Sequence, residues 1–201
     1  SLKGLHETER QMNSYRSDVD RMGLPHQRRS EVVTALKAGD QVTGFMLASS
    51  LSMDFVQFLN PMPDFVIIEQ EHSHFALPEV ANCIRMLNLL GTTSIVRVPE
   101  IRYEAISKML DAGADGILIP RIRTIEELAI AHEAMTLAPE GRKGIGGYDF
   151  QGGALDAKLA TYRDRKLLLI QIETSEALDA VEAFAAAPEV DGLIIGPFDL
   201  S

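Results

Sequence analysis

The sequence predicts an α/β fold with a parallel β-sheet, and two patterns along the chain support this prediction. Short apolar runs alternate with longer segments of helical periodicity, which is the rhythm of repeated βα units. The short runs are apolar throughout, as expected for parallel strands whose two faces are both buried. We therefore expect a sheet of about six parallel strands that are connected by helices.

The predicted elements alternate from residue 30 onwards. A helix that begins at Ser30 precedes the first strand and ends at Gly39. The predicted strands are 42–48, 64–69, 94–98, 115–120, 167–172 and 192–195. The predicted helices between them are 52–59, 77–90, 103–112, 124–137 and 175–186. A glycine-rich loop between residues 141 and 153 separates helix 124–137 from strand 167–172.

The chain length of 201 residues is enough for one domain with a substantial core. Residues 1–28 are rich in charge and show little apolar periodicity, so they are predicted to be an N-terminal extension of a domain at 29–201. A closed (β/α)8 barrel has eight strands and typically about 250 residues. With six strands, the domain is either a C-terminally incomplete barrel or a different kind of parallel sheet.

Charge and cysteine usage exclude several classes of partner. The formal net charge of −10 argues against a nucleic-acid surface and against binding to anionic membranes. Cys83 is the only cysteine, which excludes an intrachain disulfide and a thiolate metal site, and which fits a cytoplasmic protein. No apolar run approaches the roughly 20 residues that span a bilayer. A small anionic substrate would need an arginine near a strand end.

Two carboxylates each follow a predicted strand directly. Glu173 ends the run that begins at Leu167, and Asp199 follows the run that begins at Gly192. In a barrel of parallel strands the active site lies at the carboxyl ends of the strands. Two carboxylates at that edge suit a divalent cation such as Mg²⁺ or Mn²⁺. The alternative is that both acids cap the helices that follow.

Histidine and arginine also lie at predicted strand ends. His72 and His74 follow the second strand, where each is either a proton-transfer residue or a solvated loop residue. A zinc site at this His-x-His pair is disfavoured, because the neighbouring sequence offers no third nitrogen or sulfur ligand. Arg97 lies within an apolar strand and must meet an anion there, either a substrate carboxylate or a structural acid. Its position near the strand end favours the substrate.

Asp111 and Arg121 are weaker candidates. Asp111 ends a predicted helix, where the helix dipole disfavours an acid, so we expect it to have a partner, and a histidine is one option. Arg121 follows the fourth strand and could add a second positive charge at the carboxyl edge.

Taken in order, these motifs resemble one known enzyme family. They are Glu71-His72 after the second strand, Arg97 in the third, Gln171-Ile-Glu173 after the fifth, and Gly-Pro-x-Asp-Leu-Ser at 196–201. The chain from about residue 30 to 201 resembles the HpcH/HpaI aldolases, which are metal-dependent class II aldolases of 2-oxo acids. Relatives include 2-keto-3-deoxy-sugar-acid aldolases and macrophomate synthase. The resemblance implies a TIM-type (β/α)8 barrel of which this chain holds about six βα units.

The resemblance also implies roles for individual residues. Glu173 and Asp199 match the two metal-ligating carboxylates of the family. His72 matches the histidine that takes part in proton transfer, and Asp111 matches the helix acid that pairs with it. Arg97 matches the arginine that holds the pyruvyl part of the substrate.

Two further positions match the substrate-binding part of the family site. Gln171 matches a glutamine beside the substrate, and the segment around Phe198 matches one whose backbone amides meet the substrate carboxylate. The chain departs from the family pattern at Glu69-Gln70, where an Asp and a small residue are common, and at Phe198, where a small residue is usual. These departures bear on the identity of the substrate more than on the reaction class.

The implied function is a lyase that uses a divalent metal ion, Mg²⁺ or Mn²⁺. It would cleave or form a C–C bond in a 4-hydroxy-2-oxo acid, giving pyruvate or a related 2-oxo acid plus an aldehyde. The resemblance further implies a homo-oligomer. Two alternatives remain: a C–C lyase of acyl-CoA thioesters, and an inactive paralogue that binds a 2-oxo acid or a partner. No lysine follows a predicted strand, so the sequence offers no candidate for a Schiff base.

Overall fold

Six parallel strands form one sheet whose spatial order is the same as their order in the chain. The computed structural model describes residues 32–36, 38–52, 62–151, 154–163 and 166–200. The strands are β1 Gly44–Leu47, β2 Phe65–Glu69, β3 Thr93–Arg97, β4 Gly116–Ile119, β5 Leu167–Ile172 and β6 Gly192–Ile195. The sheet curls into part of a barrel with helices outside it, which confirms the predicted incomplete (β/α)8 fold.

Helices connect the strands and cover the outer face of the sheet. They are α1 Leu77–Leu90, α2 Tyr103–Ala112, α3 Ile125–Met135, α4 Leu155–Arg163, α5 Ser175–Asp179 and α6 Val181–Ala186, with a short 3-10 helix at Tyr148–Phe150. Residues 32–36 are also helical. The bounds of α1 and α2 agree with the prediction, because Gly91 and Gly113 end these helices in the left-handed conformation that glycine adopts most readily.

Some elements differ from the prediction. The single helix predicted at 175–186 is wrong, because Ala180 leaves the helical conformation and divides the segment into α5 and α6. Helix α4 was not predicted, since its mixed polar sequence lacks a clear apolar stripe. The first strand is shorter than predicted, at Gly44–Leu47. The extension at 1–28 and the predicted helix 52–59, apart from Ser52, lie outside the described residues.

Side-chain alternation along the strands separates two apolar clusters. Val66 and Ile68 of β2 point outward and belong to the large cluster between sheet and helices. Ile67 of β2 points to the inner face of the sheet, and so do residues at matching positions of the neighbouring strands. These form a smaller inner cluster of Ile67, Ile95, Leu118, Leu167 and Leu169, with Val33, Phe65 and Ile194 packed against it. The inner cluster is therefore the apolar floor beneath the carboxyl edge of the sheet.

The two outermost strands are each paired on one side only within the described part of the chain. β1 pairs with β2, and β6 pairs with β5. Both strands expose large apolar side chains, among them Phe45, Met46 and Ile195. No helix in the described ranges combines the length and the apolar character that crossing a bilayer requires.

The inner cluster predicts a large cost for truncating its central residue. Leu118 is fully buried on β4, so Leu118→Ala should lower the free energy of unfolding by about 2–5 kcal/mol in a urea titration, through lost burial and the remaining cavity. Leu178→Ala on α5 is the matched control, because that side chain is largely exposed, and it should change stability by no more than about 0.5 kcal/mol. Equal effects at both positions would mean that the inner cluster is not a packed core.

Candidate active site

Four polar side chains meet above the inner apolar cluster at the carboxyl ends of β2, β3 and β5. They are Glu69, Arg97, Gln171 and Glu173, and all except Arg97 are buried. Each follows an inward apolar residue of its own strand by two or four positions. Because side chains alternate between the two faces of a strand, each of the four also points inward. The edge where acids and an arginine were predicted is therefore a connected polar layer.

Arg97 is the centre of this layer, and its nearest anion is an acid of the same chain. The guanidinium donates through Nε to Oε2 of Glu69 at 2.5 Å, and Nη2 contacts the same oxygen. Nε also lies 3.4 Å from Oε2 of Glu71. The sequence allowed two anions beside Arg97, a substrate carboxylate or an acid of the protein itself. The structure shows the acid of the protein, Glu69.

Gln171 connects Arg97 to Glu173. Its Oε1 accepts a hydrogen bond from Nη1 of Arg97 at 3.1 Å, and its Nε2 donates to Oε2 of Glu173 at 2.5 Å. A guanidinium can only donate, so the amide must turn its oxygen toward Arg97 and its NH₂ toward the carboxylate. Gln171 therefore fixes the positions of both neighbours.

Glu173 is held by a second donor that the sequence did not reveal. Its Oε1 accepts the backbone N–H of Arg121 at 2.6 Å. Arg121 has a φ of 53°, which is uncommon for a residue with a side chain and often marks a functional site. The arginine contributes its backbone here, while its side chain is exposed. Glu173 does not cap the next helix, because Thr174 performs that role for α5.

Glu69 also holds the loop that follows β2. Its Oε1 accepts the backbone N–H groups of Glu71 at 2.5 Å and His72 at 2.9 Å, while Oε2 meets Arg97. Ser73 Oγ adds a bond to the carbonyl of Glu69 at 2.6 Å. This double role of Glu69 was missed. The sequence carries no direct signal for it, because the pairing of Glu69 with Arg97 in the β2–β3 register is visible only in the folded chain.

Glu71 is a buried carboxylate at the rim of the same layer. Its side chain is only 6% exposed, and no hydrogen bond to its Oε2 is found within the described residues. Burial raises the pKa of the Glu71 carboxyl above its ordinary value. The positive charges of Arg97 and His72 act in the opposite direction, and the carboxylates Glu173 and Glu69 raise this pKa further.

The two histidines of the loop have different surroundings. His72 is 63% exposed and places Nε2 3.7 Å from Oε2 of Glu71. His74 is exposed too, and its ring lies against Phe75 with centroids 6.1 Å apart. Of the two, His72 is the residue at the polar layer.

Asp111 does not meet His72 of the same chain, so the pairing of these two residues stays a prediction. It lies at the end of α2, just before β4 begins, and so near the amino edge of the sheet, whereas His72 follows the carboxyl end of β2. Asp111 Oδ1 accepts from Lys143 Nζ at 2.5 Å, and Lys143 also donates to the carbonyl of Gly144. The expected partner of the helix-end acid exists, but it is a lysine of the glycine-rich loop.

The last two predicted residues lie beyond β6. Gly196 follows this strand and lies against Glu173, so close that a Cβ at residue 196 would be 2.8 Å from the Cβ of Glu173. Asp199 comes three residues later and is exposed. The ring of Phe198 is 91% exposed, so it does not fill a pocket within this chain.

The charges of the polar layer suit a cation. When ionised, the carboxylates of Glu69, Glu71 and Glu173 outnumber the single guanidinium of Arg97, so the layer carries excess negative charge. Among the described residues, no three His, Cys, Asp or Glu side chains are arranged as a metal site. One or two carboxylates, completed by water and substrate oxygens, are a common arrangement for Mg²⁺.

Comparison with known proteins decides the family. A sequence profile of the HpcH/HpaI aldolase/citrate lyase family matches residues 45–201. The chain belongs to this family. It is 32% identical over 183 residues to a hydroxypyruvate/pyruvate aldolase of Sagittula stellata, an alignment that covers 90% of this chain and 71% of that protein.

Two further HpcH/HpaI relatives extend this comparison. The chain is 32% identical over 170 residues to a 4-hydroxy-2-oxovalerate aldolase of Novosphingobium aromaticivorans, covering 83% of this chain and 64% of the relative. An HpcH/HpaI aldolase structure from Desulfitobacterium hafniense matches with a TM-score of 0.77 and 27% identity, over 84% of this chain and 66% of that one. The chain thus spans about two thirds of the length of these relatives.

The contact between Asp111 and Lys143 predicts a stability effect in this HpcH/HpaI family member. Asp111→Asn leaves the buried ammonium of Lys143 without its carboxylate and should lower the free energy of unfolding by about 1–2 kcal/mol, a value reduced because Asp111 is 44% exposed. Glu104→Gln on the same helix is the control, since its pair with Lys108 is exposed and its loss should not be measurable. Equal urea midpoints for the two variants would contradict a structural role for Asp111.

Proposed function

We propose that this chain carries the active site of a divalent-metal-dependent aldolase of 4-hydroxy-2-oxo acids. In the cleavage direction the C3–C4 bond breaks and gives pyruvate or a related 2-oxo acid plus an aldehyde. In the reverse direction the same two compounds are joined by this bond. The observation that carries the proposal is the buried connection from Arg97 through Gln171 to Glu173 at the carboxyl edge of a parallel sheet. The names of the hydroxypyruvate/pyruvate and 4-hydroxy-2-oxovalerate aldolases among the relatives support the substrate class.

Glu173 and Asp199 would hold the metal ion. Glu173 accepts one bond on each oxygen, which leaves lone pairs on its carboxylate for a cation. Asp199 is exposed on the segment after Gly196, which itself contacts Glu173. When bound, Mg²⁺ or Mn²⁺ supplies Lewis-acid stabilisation of the negative charge that develops on the 2-oxo oxygen.

Arg97 would bind the substrate carboxylate without giving up its structural acid. A guanidinium has five N–H groups, and the hydrogen bonds to Glu69 and Gln171 use only some of them. The remaining N–H groups on Nη1 and Nη2 are available to a carboxylate. Because Glu69 and Gln171 fix the plane of the guanidinium, little reorganisation accompanies substrate binding.

His72 would move the proton of the 4-hydroxyl group. It is the exposed residue at the edge of the buried polar layer, and imidazole exchanges protons near neutral pH. Gln171 positions Arg97 and Glu173 beside the substrate, and the backbone amides around Phe198 would meet the substrate carboxylate from the other side.

The described lysines are unsuited to a Schiff base with a 2-oxo acid at this edge. Lys108 lies within α2, Lys158 lies within α4, and Lys166 precedes β5 at the opposite edge of the sheet. Lys143 is bound to Asp111. None of these four follows the carboxyl end of a strand.

Removing metal tests the proposal most directly. Retro-aldol turnover of a 4-hydroxy-2-oxo acid should fall to background in EDTA and return when Mg²⁺ or Mn²⁺ is added. Glu173→Gln should abolish both this turnover and Mn²⁺ binding measured by calorimetry. Glu176→Gln, three residues further along the chain and exposed, is the matched control and should leave both unchanged.

Two outcomes would reject this assignment. Full turnover in the chelator would remove the metal role. Turnover of an acyl-CoA thioester in place of the 4-hydroxy-2-oxo acid would favour a citrate-lyase-like reaction within the same family.

The geometry of Arg97 predicts a second kinetic effect. Arg97→Lys keeps the positive charge beside Glu69 but loses the planar fork, so kcat/KM should fall about 100-fold. Arg97→Ala should lower kcat/KM and also destabilise the fold, because Glu69 and Glu71 would be left without their cation. Steady-state kinetics together with thermal unfolding separate the two effects. If Arg97→Lys has wild-type kinetics, the arginine serves structure alone.

A further inference from the structure

We propose that Arg121 is a specificity residue that binds an anionic group on the aldehyde half of the substrate. This inference rests on the proposed aldolase function and narrows its substrate class. The favoured substrate is then a 4-hydroxy-2-oxo acid that carries a second acid group, a carboxylate or a phosphate, at the end distant from the 2-oxo group.

The backbone of Arg121 lies beside the carboxylate that would hold the metal ion. Arg121 follows the last residue of β4 by two positions, and its N–H group donates to Oε1 of Glu173 at 2.6 Å. β4 itself lies between β3, which carries Arg97, and β5, which leads to Glu173. A substrate held between Arg97 and an ion on Glu173 would therefore lie beside the end of β4, where the side chain of Arg121 begins.

The conformation of Arg121 shows that its backbone role does not require an arginine. Its φ of 53° lies in the left-handed region, which is unfavourable for a residue with a side chain and which glycine adopts readily. A glycine at residue 121 would donate the same N–H group to Glu173 at a lower conformational cost. The bond to Glu173 therefore leaves the guanidinium unexplained, and residues in such conformations are concentrated at functional sites.

The guanidinium of Arg121 is exposed and, within the described ranges, forms neither an ion pair nor a hydrogen bond. Arg97, by contrast, is already bound to Glu69 and Gln171. A guanidinium is a planar cation whose paired N–H groups match the geometry of a carboxylate or a phosphate. The side chain of Arg121 thus offers a complete anion-binding group at the edge where the substrate is expected.

Arg123 is the neighbouring arginine, and its surroundings are different. Its backbone N–H donates to Oε2 of Glu127 at 2.7 Å in the first turn of α3, and its positive charge acts on Glu176 in the first turn of α5. Arg123 therefore belongs to the helix starts, whereas Arg121 belongs to the carboxyl edge of the sheet. This contrast supplies a matched control.

The charge around the site explains why a second anion on the substrate needs its own cation. The chain carries a formal net charge of −10, and the acids of the polar layer outnumber its one guanidinium. Arg97 would be occupied by the carboxylate next to the 2-oxo group. These surroundings repel a further anionic group unless another cation is within reach, and Arg121 supplies that cation.

The contact would act on binding and not on bond cleavage. The distal acid group neither gains nor loses a bond when the C3–C4 bond breaks, and it leaves with the aldehyde. A contact that is equally strong in the bound substrate and in the transition state lowers KM and has little effect on kcat. Arg121 is therefore expected to govern the choice of substrate.

A comparison of a diacid with a monoacid substrate tests this role. With Mg²⁺ present, wild-type protein should cleave a 4-hydroxy-2-oxo dioic acid with a kcat/KM about tenfold above that of the monoacid in which a methyl group replaces the distal carboxylate. Arg121→Gln should reduce this ratio to about one, chiefly through KM. Arg123→Gln removes the same charge from an exposed residue two positions away and should keep the ratio of the wild type.

Two further arms refine the comparison. Arg121→Gly retains the N–H donor to Glu173 and favours the left-handed φ, so it should lose the preference for the diacid while Mn²⁺ binding in calorimetry persists. A substrate with a distal phosphate in place of the distal carboxylate identifies the anionic group, because the matching group is the one whose advantage depends more strongly on Arg121.

A binding measurement keeps the inference independent of turnover. A 2-oxo dioic acid without the 4-hydroxyl group cannot undergo retro-aldol cleavage. In calorimetry with Mg²⁺ present, it should bind wild-type protein about tenfold more tightly than the matching 2-oxo monoacid, and Arg121→Gln should remove this difference.

The outcomes distinguish this proposal from the function on which it rests. Equal affinity of the wild type for the two analogues, or a preference for the diacid that survives in Arg121→Gln, overturns the role of Arg121 even in an active aldolase. A wild-type chain that shows the Arg121-dependent binding preference but no retro-aldol turnover overturns the proposed function alone.

Discussion

The site depends on a guanidinium that lies on the inner side of a parallel sheet. Arg97 cannot lose its charge, so the fold must provide acceptors around it. Glu69 supplies one on the adjacent strand, because the register pairs these two residues directly. Gln171 supplies a second acceptor, its side-chain oxygen. Because this oxygen faces Arg97, the NH₂ group of the same amide faces Glu173. One charge therefore organises residues from three strands.

The distance between strands explains why these side chains are long. β3 and β5 are separated by β4, so their backbones lie about 10 Å apart at the usual strand spacing. Leu118 is the inward residue of β4 beside Arg97, and it lies in the apolar floor. Arg97 and Gln171 meet above this floor, across β4, which two shorter side chains could not do. The length of Glu69 likewise allows one carboxylate to bind both the loop backbone and Arg97.

Much of this arrangement could be predicted from the sequence, because it follows from local periodicity. Short apolar runs between segments of helical periodicity located the strands, and an arginine within such a run indicated an internal anion. Contacts between distant segments could not be predicted in this way. The rule that a helix-end acid needs a partner held for Asp111, but only the folded chain showed that Lys143 is that partner. The backbone role of Arg121 was hidden because side-chain type does not reveal a positive φ.

The excess of carboxylates in the polar layer links the stability of the fold to the proposed chemistry. Three acids share this layer with one guanidinium, and the pKa of the Glu71 carboxyl is raised first by burial and further by the negative charges of Glu173 and Glu69. Such an arrangement costs stability in the native state alone, because the unfolded chain exposes these groups to water. A divalent cation near Glu173 would offset that repulsion only in the folded protein. The same excess charge that weakens this layer would favour the binding of the proposed cation, and the hydrogen bonds from Arg121 and Gln171 already hold the Glu173 carboxylate in place.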